Sequence, residues 1–512
     1  MIHIALAFAM CCIGAWFGFA NQIQHQPFLV LFLPAGLALL GMGAKSIGKA
    51  FRHGLIAGAL AYAGAMYWVA FPIHDYGNLP WVLAVPCPIL LGLYCGLYAG
   101  IFSACLHWGE KRLPALIAGL FAICLWSGLE AVRGWLFTGF PWIPLASAFA
   151  PYPFMIQGAV LFGAYGLSGL LAGAASLLIL GRGKLVPSAV ALSLVALLAG
   201  FGTYALSLTP KTTGTARVAL VQGNINQAHK WDSEYQEGTV DRYRELTLSA
   251  IKAMSPELAI WPETAMPFYF QETSLLSSRV RTLARNNHMY ILSGAPGYTP
   301  RPNAQGYDIH NRAFLVGKDG GSAGIYDKQH LVPFGEYVPF GRYLPFLDKL
   351  VQGAGDFTPG NKNAPLNAGP MKLGVLICYE TIFPELAQAR VSAGANVLVN
   401  ISNDAWFGNS SAPYQHLDIS ILRAVEQGRW ILRGTNTGIS AIIDAHGRIQ
   451  KQGSLFRAET VNFSDVQLIS ELTPYHQVRT TLQIACAVAL LFMFLGGWLA
   501  GPRKKQSTHV LD

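Results

Sequence analysis

Three ionisable residues of complementary chemistry stand at the ends of short β-type runs: Glu263 in LAIWPETAMP, Lys328 in GIYDKQHLVPFGEYVP and Cys378 in KLGVLICYETIFPE. A carboxylate, an ammonium and a thiol together supply what acyl transfer needs. The carboxylate takes the thiol proton, the ammonium stabilises the thiolate and then an oxyanion, and the sulfur holds the acyl group as a thioester, dividing one hard step into two. Of the eight cysteines, Cys11, Cys12, Cys87, Cys95, Cys105, Cys124 and Cys486 fall in hydrophobic segments. Cys378 is therefore the one thiol in the polar part of the chain, without an intrachain disulfide partner there. Taken singly, each has a plainer reading: Cys378 as a buried structural cysteine, Glu263 and Lys328 as solvated surface charges.

The elements that must position these groups are short β-type runs, Arg217–Val221, Leu258–Trp261, Tyr290–Ser293, Ala313–Val316, Leu373–Cys378, Val397–Ile401 and Ile439–Asp444, separated by helical stretches. The longest of those, Ser233–Met254, mixes charged and apolar residues at helical spacing. Strands alternating with helices predict an α/β layered domain. Gly317–Gly324 reads as a turn, since it lacks a P-loop lysine and the strand-to-helix context.

The rest of the chain is of another kind. Across 512 residues, 52% are hydrophobic and only 12% charged, and the mean hydropathy is +0.36, a membrane protein's composition. Seven apolar runs, each near the length of a bilayer crossing, occupy Ile2–Ala20, Pro27–Gly43, Gly54–Ile73, Leu79–Trp108, Leu113–Val132, Phe154–Leu180 and Val186–Leu206, and an eighth runs from Leu482 to Ala500. The first lacks the basic start of a signal peptide and reads as a helix. Domains are thus expected at 1–206 (seven transmembrane helices), 207–479 (catalytic) and 480–512 (eighth helix and basic tail). Lys45, Lys49, Arg52, Lys111, Arg112, Arg182, Lys184, Arg503, Lys504 and Lys505 all fall in alternate loops or the tail, while the intervening loops contribute only Arg133. Basic loops stay in the cytoplasm, so both termini are expected there and 207–479 on the far side. The net charge of +9 sits mostly in the membrane portion: 11 Lys/Arg against 4 Asp/Glu there, 25 against 23 in residues 207–479. A nucleic-acid role loses its main support.

Glu263, Lys328 and Cys378, in this order and with these flanks, resemble the Glu-Lys-Cys triad of the nitrilase, or carbon-nitrogen hydrolase, superfamily. With the membrane helices and the stretches WPETAMP, YDKQHLVPFGEYVP, ICYE and SNDAWFG, nearly the whole chain resembles the apolipoprotein N-acyltransferase family. That resemblance implies an eight-helix membrane bundle carrying an αββα sandwich outside the inner membrane of a Gram-negative-type bacterium. It implies transfer of an acyl chain from a phospholipid donor to the α-amine of the diacylglyceryl-cysteine of an apolipoprotein acceptor, with no cofactor and no metal. It implies Glu263 as general base, Lys328 as oxyanion stabiliser and Cys378 as nucleophile. Glu336, Tyr379 and Glu380 match supporting positions, and Trp231 and Trp406 match aromatic positions near the substrate path. One departure is Asn226 in QGNINQ, where the family has proline, which alters a loop and not the triad.

His310, His330 and His416 are scattered without metal-ligand spacing and are expected to have hydrogen-bonding or structural roles. Glu130 and Arg133, at i,i+3 near a helix end, predict an interfacial ion pair or a functional pair at membrane depth. The following RGWLFTGFPW reads as an aromatic belt or part of a substrate portal. Two other functions use the same residues: a membrane-bound amidase, with water as second nucleophile, and a transporter or receptor whose exported domain only binds. Eight helices exceed a tether's needs, and no pair of Gly/Pro-broken helices marks a midplane site. A thioester must be shielded from water yet open to lipid substrates; Pro339–Phe357, with Phe346, Leu347 and three glycines, reads either as ordinary core or as the mobile apolar cover expected here.

Overall fold

The computed structural model describes residues 2–227, 232–301, 305–338 and 357–503. Trp231 and the expected cover, apart from Phe357, lie outside the described residues. The chain divides into two compact units, one of Met1–Tyr67, Pro88–Tyr204 and Val478–Asp512, the other of Trp68–Cys87 and Ala205–Gln477.

The first unit is helical. Among the described residues, five helices have the length and apolar composition of a complete membrane span: Trp81–Arg112, Ala115–Arg133, Ala159–Leu180, Leu185–Ala205 and Pro474–Ala500. The broken pair Ile47–Ala65 and Tyr67–Asp75 makes a sixth if taken as one span, and Ile2–Gly18 and Pro27–Gly43 are shorter apolar helices. Lipid tails are as apolar as leucine, so helices associate here through close packing rather than hydrophobicity. Glycines permit it: a Cβ at Gly92 or Gly96 would lie 2.6 Å from the carbonyl oxygen of Ala59 or Leu55 on the neighbouring helix. Glu130 and Arg133 do not close the expected ion pair. Glu130 Oε1 accepts from the Trp126 indole at 2.9 Å and the Leu145 amide at 2.8 Å, while Arg133 Nη2 donates to the Trp142 carbonyl at 3.2 Å. The loop after the helix folds back and offers backbone groups that hydrocarbon cannot satisfy, and these outcompete the pair.

The second unit is an αββα sandwich. Among the described residues its strands are β1 (Thr212–Gln222), β2 (Leu258–Ile260), β3 (Tyr290–Pro300), β4 (Tyr307–Val316), β5 (Ser322–Asp327), β6 (Leu366–Ala368), β7 (Met371–Ile377), β8 (Val397–Ser402), β9 (Ile431–Thr435), β10 (Ala441–Ile443), β11 (Ile449–Gln452) and β12 (Glu459–Ile469). They form two six-stranded sheets, ordered β12-β1-β2-β3-β4-β5 and β11-β10-β9-β8-β7-β6. Each sheet has a parallel centre, β1-β2-β3 and β7-β8-β9, whose crossovers are the helices Ser233–Met254, Leu275–Asn286, Pro384–Ser392 and Ala412–Gln427. Val218, Leu220, Ile260, Leu292 and Leu315 of one sheet meet Leu373, Val375, Val399 and Leu432 of the other, while Val221, Trp261, Ile291 and Val316 turn outward under the helices with Val240, Tyr243 and Leu283. Strands buried on both faces read as near-continuous apolar runs, which is why the sequence marks these parallel strands so clearly.

Trp68–Cys87, expected within the 1–206 membrane portion, packs instead with this second unit. Its Trp68 indole donates to Gln415 Oε1 at 3.0 Å and its Tyr76 hydroxyl to the Ala405 carbonyl at 3.2 Å. The Trp68 ring stands 4.9 Å from Phe407 and that of Tyr76 4.8 Å from Trp406. An apolar run records that a segment avoids water, and not whether lipid or another element covers it.

Candidate active site

In open parallel sheets, function gathers beyond the carboxyl ends of the strands. Here β2 runs out to Glu263, β7 to Cys378 and β8 to Asn403, while β5, antiparallel beside β4, ends at Lys328. Register puts Arg312 opposite Asp327, so Asn311 and Lys328 are neighbours, with the Lys328 amide donating to the Asn311 carbonyl at 2.9 Å. The backbone at Glu263 passes so close to β3 that a Cβ at Gly294 would fall 2.7 Å from the Glu263 Cα.

Lys328, 1% exposed, reaches Glu336 Oε2 at 2.9 Å and Glu263 Oε1 at 3.5 Å. Asn311 Nδ2 bridges the two carboxylates from the other side, 2.7 Å from Glu263 Oε1 and 2.8 Å from Glu336 Oε1. Amides complete the cage: that of Asn403 donates to Glu263 Oε2 at 3.0 Å and that of Val332 to Glu336 Oε2 at 2.8 Å. Burial pulls the Lys328 ammonium toward its neutral form, but Glu336, Glu263 and Cys378 outweigh that and hold it above its ordinary value. It stays a cation. Burial and the neighbouring Glu263 push the Cys378 thiol up, against the lowering influence of Lys328. Two carboxylates and one ammonium leave the cluster formally at −1, so a resting thiolate would add like charge.

Cys378 opens the short turn Cys378–Ile382 with φ of 51°, a left-handed conformation that costs a residue with a side chain roughly 1–2 kcal/mol. The turn is held by Glu380, which is fully buried. Its two oxygens accept from the Ile377 amide at 2.7 Å, the Gln329 amide at 2.6 Å, the His330 amide at 3.2 Å and the Tyr326 hydroxyl at 2.8 and 2.9 Å. One carboxylate thereby ties the segment after Lys328 to the segment around Cys378. Burial raises the Glu380 carboxyl, against the lowering effect of Arg390, which is itself bonded to Tyr326, Gln329 and the Val375 carbonyl.

The comparisons agree on one family. Residues 217–471 match the carbon-nitrogen hydrolase model, and residues 6–177 the model of the apolipoprotein N-acyltransferase N-terminal domain. The apolipoprotein N-acyltransferase of Geobacter metallireducens is 41% identical over 88% of this chain and 87% of its own length. The chain belongs to the apolipoprotein N-acyltransferase family. It is a membrane-bound enzyme of lipoprotein N-acylation, its carbon-nitrogen hydrolase portion built on the nitrilase-like α/β fold. The enzymes of that name from Azotobacter vinelandii and Pseudomonas aeruginosa are 37% and 33% identical over 95% and 94% of this chain and 93% and 94% of their own lengths.

Of the residues this family resemblance singles out, Glu263, Lys328 and Glu336 share one contact cluster with Cys378 in its electrostatic range, and Glu380 braces it. Tyr379 is buried with its ring 5.1 Å from Phe383 and 5.8 Å from His330, and Trp406 is half-buried against Tyr76. His310 Nδ1 donates to the Thr358 carbonyl at 2.8 Å, and His330 packs on Phe383; among the described residues no group of side chains suits a metal ion. Sequence reasoning missed Asn311, Asn400, Asn403 and Arg433. Asn311 had a signal: His310, Asn311 and Arg312, three consecutive polar side chains, lead directly into the apolar Ala313–Val316 of one strand, and all three are buried.

Proposed function

We propose that the chain moves an acyl group from a membrane phospholipid to the α-amine of a diacylglyceryl-cysteine at an apolipoprotein N-terminus, by a ping-pong reaction through a thioester on Cys378. The observation that carries this reading is the buried contact of Lys328 with Glu263 and Glu336 beside the strained turn of Cys378. In the first half-reaction the sulfur attacks the ester carbonyl carbon while Glu263 takes the thiol proton. Lys328 stabilises the oxyanion, which collapses to the thioester as Glu263 returns the proton to the departing lysophospholipid oxygen. In the second, the amine attacks the thioester carbonyl, Glu263 accepts the amine proton, and the proton passes to sulfur as the amide forms. Glu336 and Asn311 hold Lys328 and Glu263 at fixed spacing through both. The match over residues 6–177 favours transfer over simple amide hydrolysis. Charge asymmetry of the loops supports a bacterial inner-membrane location, a periplasmic 207–479 and cytoplasmic termini.

The test is turnover in detergent with labelled phospholipid. Without acceptor, the protein is expected to release about one lysophospholipid per active thiol; Cys378→Ala releases none, and Lys328→Met slows both half-reactions. A Cys378→Ala protein that transfers acyl groups at near the normal rate overturns the reading.

A further inference from the structure

The carbonyl of Cys378 leaves its sheet at the left-handed turn and needs other partners. Two side chains supply them: Asn400 Nδ2 at 3.3 Å and His416 Nε2 at 3.2 Å. Both have a second attachment that fixes their orientation. Asn400 Oδ1 accepts from Arg433 Nη1, while Arg433 Nη2 lies 2.6 Å from Asp404 Oδ2 and 3.0 Å from His416 Nδ1. Asp404 Oδ1 lies 3.2 Å from that same Nδ1 and accepts from the Ser402 hydroxyl at 2.7 Å. His416, Asn400 and Arg433 are 0% exposed and Asp404 1%, so no water competes for these bonds.

The tautomer follows from the partners. A carbonyl only accepts, so Nε2 carries the proton of the neutral ring; Nδ1 then accepts from the Arg433 guanidinium, and the Asp404 carboxylate beside it, itself an acceptor, holds Arg433 rather than the ring. The ring is neutral, in keeping with burial and Arg433 lowering its basicity against the pull of Asp404. We propose that His416, seated by Arg433, which Asp404 fixes in turn, is a positioning residue for acyl transfer: its Nε2–H holds the Cys378 carbonyl, and with it the plane of the following peptide and the direction of the thiol. The peptide is planar, so holding the oxygen fixes the amide on its other side. Misdirection of a nucleophile by a fraction of an ångström slows attack without unfolding anything.

This inference rests on Cys378 as nucleophile, and the experiment separates the two. Asparagine matches the reach of Nδ1 and glutamine that of Nε2. His416→Asn keeps a partner for Arg433 but cannot reach the Cys378 carbonyl; His416→Gln reaches it. Full-length protein in detergent is acylated under single-turnover conditions with saturating labelled phosphatidylethanolamine, and the rate is expressed per alkylatable Cys378. For His416→Asn a loss of about tenfold or more is expected, and for His416→Gln a return to within about threefold of the parent. The two variants are expected to melt within a few degrees of each other. Equal rates for the two variants, or a loss in His416→Asn that disappears once expressed per reactive thiol, overturn the inference. If His416→Asn does not accumulate, Asn400→Ser, which withdraws the other donor, is required to show the same loss, and normal acylation by it overturns the inference. Absence of any acyl adduct on Cys378 in the parent would instead refute the nucleophile assignment.

Discussion

Replacing Glu263 by Gln is expected to abolish transfer while making Cys378 easier to ionise. The two effects point in opposite directions, which gives the experiment its power. In the parent, forming the thiolate takes the group of Glu263, Glu336, Lys328 and Cys378 from a formal charge of −1 to −2; in Glu263→Gln it goes from 0 to −1, with Lys328 still held by Glu336 at 2.9 Å. Two unit charges about 5 Å apart at an effective dielectric of about 20 interact by about 3 kcal/mol, or about two pKa units. Glu263 raises the thiol, so its loss moves the titration down by that order. The assay is the pH dependence of iodoacetamide alkylation in a protein whose seven other cysteines, all in apolar segments, are replaced by Ala or Ser. The expected result is a midpoint about two units lower, with acyl transfer lost because no base remains to relay the proton. An unchanged or higher midpoint, in a variant with parental thermal stability, would refute the electrostatic placement of Glu263 beside the thiol.

Two further outcomes are expected beyond those for Cys378 and His416. Arg433→Leu leaves Asp404 buried without its cation and is expected to destabilise the domain by about 3–5 kcal/mol, read as a fall in the midpoint of chemical or thermal unfolding; an unchanged midpoint would show that Asp404 is neutralised some other way. Single cysteines placed at Lys451 and Arg217 are expected to react with impermeant maleimide from outside the cytoplasmic membrane, and those at Lys49 and Lys184 only after permeabilisation. The reverse pattern would end the periplasmic assignment.

The candidate site was legible in the sequence because its residues are unusual there. A single cysteine in the polar half, set at the end of an apolar run, and two ionisable residues at the ends of other runs stand out against their surroundings. The central strands β1, β2, β7 and β8 were legible for a related reason: burial on both faces requires uninterrupted apolar residues. Edge strands carry no such mark. Strand β11, Ile449–Gln452, pairs on one side only and is exposed along its whole length, so IQKQ resembles a loop. The positioning network was hidden because its members are ordinary polar residues far apart in sequence. His416 lies on a helix, Arg433 on β9 and Asn400 on β8, and only the register Asn400↔Arg433 brings two of them side by side. The position of Trp68–Cys87 was illegible for the opposite reason, since a run of Trp, Phe and Ile suits lipid and a protein surface equally.

The central claim is that Cys378 carries the acyl group between two lipid-borne substrates, and mass spectrometry of the protein after a brief exposure to one defined phospholipid tests it most directly. The account predicts that the peptide containing Cys378 gains the mass of one acyl chain less one hydrogen, that hydroxylamine removes the adduct, and that a peptide amine bearing the diacylglyceryl-cysteine discharges it as fast as product appears. An adduct confined to another residue, or product formed while Cys378 remains unmodified and alkylatable throughout, would contradict it.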